Sequence, residues 1–293
     1  MTRKLIKIIA AFAVVAGLFL LAAVLIASRP TGPQSALPNP NGYDDFVKAG
    51  ESLLGSHSDW SKMDAAQLRA LIQTNTATLK LLRAGLAHEC AIPPDYSGQL
   101  TNHFTALSTF KSLAQLLAAE GRLAELEKRT NDAARSYAEG IRFGLKSARR
   151  GVLIDALVGL ACENLGAMPL EKLLPRLEAN TCRELARSIE ASQAARESAE
   201  DVLQSEKNWA FRTHGVRGVV SALFTFPQMR KTRLAFISKY NAQQSRTRQL
   251  LLNLASRACE LDTGHPPTAP TDLVPKYLKA IPAKPAASPA GPQ

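Results

Sequence analysis

Apolar residues follow two regimes along this chain. From Ile8 to Ala27 they are continuous, IIAAFAVVAGLFLLAAVLIA, with no charge inside the run and Arg3, Lys4 and Lys7 ahead of it. A helix rises about 1.5 Å per residue, so such a run spans roughly the 30 Å hydrocarbon core of a bilayer. A secretory signal has a shorter apolar core, about 7–15 residues, and a small-residue exit. Here the exit reads Leu25-Ile26-Ala27-Ser28-Arg29-Pro30. The reading is an uncleaved signal anchor over residues 1–28, with a cleaved signal peptide as the alternative. Basic residues stay on the cytoplasmic side. That places a single-pass protein in the cytoplasmic (inner) membrane, its N-terminus inside and its main domain outside.

From residue 42 onward the apolar positions recur every three or four residues, the period of helices that bury one stripe. Residues 29–41, RPTGPQSALPNPN, form a proline-rich linker between the two regimes. Residues 42–54 predict a first short helix, with Phe46, Val47, Leu53 and Leu54 on its apolar side and Trp60 in the turn beyond. A capping box at Ser61 and Asp64 opens a helix over 63–88, carried by Leu68, Ile72, Leu79, Leu82 and Leu86. Asn75 interrupts that stripe, either fixing its register or facing a wet edge. Two further helices cover 98–119, with Leu100, Phe104, Leu107, Leu113 and Leu117 inside, and 123–148, with Gly121 as the break between them. Residues 152–167 are apolar nearly all round, which predicts a helix at the domain centre. Pro169 and Pro175 bound a short helical turn. A second capping box, Thr181 and Glu184, opens a long helix to about residue 212, and Pro227 starts the last one, to about 261.

Strand-type alternation is almost absent, and Ala, Leu, Arg and Glu dominate. The fold class is therefore all-α: an N-terminal transmembrane helix, an irregular multi-helix domain over 42–262, a proline-rich C-terminal cap over 263–285 and a disordered tail over 286–293. Four cysteines, Cys90, Cys162, Cys182 and Cys259, allow two bridges in an oxidising compartment; Cys162 with Cys182 is the favoured pair, and four buried thiols are the alternative.

Charge adds one strong feature. The formal net charge is +11, and from Lys207 to Cys259 the chain has no Asp or Glu. The candidate partner-binding residues there are Arg212, Arg217, Arg230, Lys231, Arg233, Lys239, Arg246 and Arg248. Either these pair with acidic faces elsewhere, such as Glu184, Glu190, Glu197, Glu200 and Asp201, or they meet an anionic partner. An acidic envelope protein and anionic lipid headgroups both fit. Trp209, Phe211, Phe224 and Phe226 interleave with the cations as at a membrane interface. Nucleic acid does not fit, since no nucleic-acid motif is present.

Catalytic patterns are weak. The five histidines include no pair at helical metal spacing, and there is no Cys-x-x-Cys, phosphate loop or nucleophile elbow. No metal or cofactor is expected. Asp155 and Glu163 stand on the central helix, either as satisfied ion pairs, with Arg149 and Arg150 as near candidates, or as a carboxylate pair for acid–base work. His88 and Cys90 are the other candidate combination.

The closing segment, with Gly264-His-Pro-Pro267, Leu273-Val274-Pro275-Lys276-Tyr277-Leu278 and Ile281-Pro282, resembles the C-terminal part of the major type II secretion pseudopilins. With Asn41-Gly42-Tyr43-Asp44-Asp45-Phe46 and Cys90-x-x-Pro93, it is also similar to a family of uncharacterised membrane-anchored bacterial proteins. Physically, the prolines make 264–285 an extended cap that lies against the helices with Leu273, Val274, Tyr277, Leu278 and Ile281 turned inward. Lys284 stands where the pseudopilin pattern has Asp, so a calcium site is not implied, and residues 8–27 lack the acid of a pilin-type helix. The function expected is a non-enzymatic, membrane-anchored interaction or scaffold protein of the cell envelope, binding through its basic helical face. The alternatives are a secretion-associated pseudopilin-like component and an extracytoplasmic hydrolase.

Overall fold

A computed structural model of the chain describes residues 36–55, 59–98, 100–224 and 226–283, with isolated positions at Val15, Gly17 and Ala22. Of 100–102, 216–224 and 226–229 only the backbone is described. The apolar run at 8–27 as a whole, most of the linker, the tail and the Arg217 side chain lie outside what is described. All regular structure among the described residues is helical: α1 (Gly42–Glu51), α2 (Ala65–Thr74), α3 (Thr76–Ala87), α4 (Leu100–Leu126), α5 (Thr130–Ser147), α6 (Leu153–Leu173), α7 (Ala179–Ala194), α8 (Ala199–Phe224) and α9 (Phe226–Thr263).

The expected helix over 63–88 is two helices, because Asn75 breaks it. Asn75 is fully buried, not at a wet edge. Its amide accepts from Leu54 N (2.8 Å) and donates to Leu54 O (2.9 Å) and Leu71 O (3.0 Å), tying the end of α1 to the α2–α3 joint. The cap of α2 lies three residues beyond the expected place: Asp64 is the N-cap, and its partner is Gln67, which returns the bond to Asp64 N at 3.0 Å. α1 and α3 close on α4 around an aromatic cluster in which Phe46 and Phe143 meet edge to face at 4.8 Å and Phe110 and Phe143 at 5.7 Å.

Gly121 does not end a helix. α4 runs through it, and the residue is small because the Tyr137 ring of α5 lies against it; a Cβ there would stand 2.5 Å from Tyr137 Cε1. The chain turns instead at Lys128, which adopts φ 61°. α5 and α6 approach through Gly140, Gly144, Gly159 and Gly166, so that backbone lies close to backbone. α6 is the central helix and packs on α4, α5, α8 and α9. By length and composition Leu153–Arg176 is apolar enough to cross a membrane, with a mean hydropathy of 1.4. Its buried Asp155 and Glu163 and the helices around it make it the core helix expected from its all-round apolarity. It also continues through Pro169, which was expected to end it.

The long helix expected from 181 is divided. α7 ends at Ala194, and α8 restarts behind Ser198 and Asp201, which cap each other reciprocally. α7, α9 and α5 share the largest apolar cluster. Leu273, Tyr277 and Leu278 are buried in that cluster, whereas Ile281, expected to turn inward, is 41% exposed. The four cysteines are free and buried. Cys162 packs with Phe110 and Phe143, while Cys182 lies in the α7–α9 cluster, so the expected Cys162–Cys182 bridge is not formed.

Candidate functional site

A cavity of about 410 Å³ lies beside the N-terminus of α6. This is within the usual range of small-molecule pockets, roughly 300–1,000 Å³. Its walls come from the loop after α3, the start of α4, the α5–α6 turn and α8.

The α5–α6 turn sets the geometry. Arg150 holds a left-handed backbone at φ 58°, rare for a non-glycine residue. Its N–H donates to both oxygens of Glu197 (3.1 and 3.0 Å), and its Nη1 donates to Ala36 O at 2.8 Å. Gly151 follows, where a Cβ would stand 2.6 Å from that of Asp155. The glycine lets the Asp155 side chain fold back over the helix start.

Two carboxylates then cap consecutive amides of α6. Asp155 Oδ2 accepts from Val152 N at 2.7 Å, and Glu206 Oε2, from α8, accepts from Leu153 N at 2.9 Å. The other oxygen of Asp155 stands 2.9 Å from His103 Nε2. Asp155 is 2% exposed and His103 19%, so the imidazole is the face that this pair presents to the cavity. Its hydrogen bond to Asp155 holds the His103 pKa above the usual 6.5, which favours the imidazolium. Burial pushes Glu206 up, and the nearby Asp155 charge adds to the shift. Trp209 Nε1 donates to Asp95 O at 2.7 Å, and the Arg212 guanidinium lies 5.4 Å above the Tyr96 ring. These two contacts fasten the loop after α3 to α8.

This site was not visible in the candidate pairs read from the sequence. Asp155 and Glu163 do not act together. Asp155 faces His103, while Glu163 forms a separate buried pair with Arg196 at 3.1 Å, supported by Thr247 at 3.3 Å. Arg149 and Arg150 serve neither acid: Arg149 pairs with Glu89 at 3.2 Å, and Arg150 holds Ala36 and Glu197. His88 Nδ1 is 2.8 Å from Asp45, and Cys90 is 1% exposed with its thiol pushed up to about 12 by burial. A thiol so buried and protonated is inert. No local signal joins His103 to Asp155, which stand more than fifty positions apart. The capping position of Asp155 behind Gly151 was the readable part.

The basic stretch divides into three groups. Arg246 pairs with Glu171 at 2.7 Å, and Arg248 donates to Pro282 O at 2.7 Å, so both hold the fold together. Arg212 lines the cavity. Arg230, Lys231, Arg233 and Lys239, along the first half of α9, are exposed and have no carboxylate partner among the described residues. Four of the five acids expected to neutralise them are used elsewhere. Glu184 pairs with Arg135, Glu190 accepts from the Lys279 and Ala280 amides, Glu197 accepts from Arg150 N and Asp201 caps α8. No group of three or more His, Cys, Asp or Glu that could hold a metal ion occurs among the described residues. Comparison with known proteins finds no family model that matches the chain, no similar curated protein and no similar solved structure.

Proposed function

We propose that this chain is a membrane-tethered interaction protein of the cell envelope that engages anionic lipid headgroups through the first half of α9. The observation that carries the reading is the set Arg230, Lys231, Arg233 and Lys239, exposed and without carboxylate partners among the described residues. Four such cations on one helix carry a field that only an outside anion can neutralise. The apolar sequence of residues 219–226, VVSALFTF, adjoins them and supplies the amphipathic character of an interfacial segment. The apolar run at 8–27 is the tether, with its N-terminus inside and the helical domain outside. Eight residues separate Ala27 from Ala36, which Arg150 holds against the domain. At roughly 3.3–3.6 Å per extended residue, this link keeps the domain within about 30 Å of the bilayer. The proline-rich segment over 263–285 closes the opposite end of the chain as a cap.

The test uses the full chain reconstituted in vesicles of phosphatidylcholine. It should recruit a second, labelled population containing phosphatidylglycerol, and recruitment should fall steeply as salt is raised, since the Debye length shrinks to about 8 Å at physiological ionic strength. Changing Arg230, Lys231, Arg233 and Lys239 together to Gln should abolish recruitment without altering the circular dichroism. If no recruitment occurs at low salt, the face does not serve lipid. In that case, crosslinking in cells that yields an acidic protein through α9 would assign the surface to that partner.

A further inference from the structure

We propose that the cavity at the start of α6 is a binding site for an amphipathic anion, a carboxylate or phosphate head on an apolar body, with the head on His103 and Arg212. This goes beyond the basic face of α9, none of whose cations lines the cavity.

The charge state of the lining selects the sign of the ligand. Each of its three carboxylates accepts a backbone N–H. Asp155 is held by Val152 N and His103, Glu206 by Leu153 N, and Asp95 accepts from Ser97 N at 2.8 Å. The cations are less committed. His103 spends Nε2 on Asp155, and its Nδ1 has no partner among the described residues. Arg212 is exposed over the Tyr96 ring and has no carboxylate partner among the described residues. The Arg212 guanidinium and the second ring nitrogen of His103, which carries an N–H in the imidazolium form, therefore remain for a ligand.

Apolar lining selects the body. Phe104 is 50% exposed and Ile154 36%, and both stand at this cavity together with Pro93, Pro94 and Leu153. Large apolar side chains left open beside uncommitted cations match a molecule that is apolar at one end and anionic at the other. Arg150 ties the linker to the same rim through Ala36, so the mouth lies within reach of the tether. Two sources carry this chemistry: a free amphiphile, such as a fatty or aryl acid, and an anionic membrane lipid.

The experiment uses the full chain in phosphatidylcholine nanodiscs, with Trp60→Phe so that Trp209 is the sole fluorescent indole. Three probes share one body and differ in head: 4-phenylbutyrate, 4-phenylbutanol and 4-phenylbutylammonium. Phenylbutyrate should bind saturably, at least tenfold more tightly than the alcohol, and the ammonium more weakly still. Arg212→Gln, checked by circular dichroism because the side chain also stacks on Tyr96, should reduce phenylbutyrate affinity about tenfold and leave the alcohol unchanged. Equal binding of all three probes, preference for the ammonium, or an Arg212→Gln variant with full affinity would each overturn the proposal. Nanodiscs containing phosphatidylglycerol then separate the sources. Competition that raises the apparent Kd of phenylbutyrate identifies the lipid as occupant, and an unchanged Kd identifies a free amphiphile.

Discussion

His103 Nε2 stands 2.9 Å from Asp155 Oδ1, while the second oxygen of the same carboxylate takes the Val152 N–H at 2.7 Å. One buried carboxylate thus fixes both the start of α6 and the orientation of an imidazole from α4. The arrangement makes folding stability depend on pH with a definite sign. The folded pKa of His103 lies above 6.5, so the folded state holds the proton more tightly than the unfolded chain. Its contribution is full below pH 6.5 and is lost as pH rises through the folded value. Glu206, raised from 4.5 by burial, acts in the same direction at lower pH. Urea denaturation of the full chain should therefore show a stability decline on the alkaline side of pH 6.5 that His103→Gln removes. Identical pH slopes in the wild type and the variant would show that the pair does not form in solution.

The helical class and most buried stripes were legible in the sequence because they depend on local period alone. Leu68, Leu82, Tyr137, Ile141, Leu185 and Ile189 are buried as the 3.6-residue pattern requires. The breaks were less legible. Gly121 and Pro169 read as terminators, yet Gly121 is the seat of the Tyr137 ring and Pro169 sits inside α6. Whether glycine ends a helix or admits a neighbour depends on what packs against it, which no local window contains. Phe104 followed the apolar stripe of its helix but stands half exposed at the cavity. The partners of Asp155 and Glu163 were illegible for the same reason: His103 and Arg196 are brought to them by topology. The adjacent arginines, nearer in sequence, point elsewhere.

Asn75 illustrates a polar residue whose burial the pattern did not disclose. It is 0% exposed, and its amide exchanges bonds with both the N–H and the carbonyl of Leu54. Asn75→Ala removes three side-chain bonds and leaves the backbone polar groups of Leu54 short of partners. Each of the three part-buried bonds contributes about 0.5–1.5 kcal/mol net, so the variant should lose about 2–4 kcal/mol of stability. Hydrogen exchange should accelerate at the Leu54 amide before it changes in α5 or α6. A loss below about 0.5 kcal/mol, as for an ordinary surface substitution, would place Asn75 in water.

Glu163 and Arg196 provide the strongest test of the interior. Both side chains are at most 4% exposed, their charged atoms are 3.1 Å apart, Thr247 donates to the same carboxylate oxygen, and the guanidinium lies 4.6 Å over the Tyr240 ring. Removing one member leaves the other charged and unpaired inside the protein, which costs about 3–5 kcal/mol. Glu163→Gln and Arg196→Met should each show a loss of that size in chemical denaturation. The double variant Glu163→Met with Arg196→Met should lose much less than the sum, because neither charge then needs a partner and the apolar side chains fill a similar volume. Single losses that add in the double variant would show that the two residues contribute independently, and the pair would then not organise the α6–α9 interior.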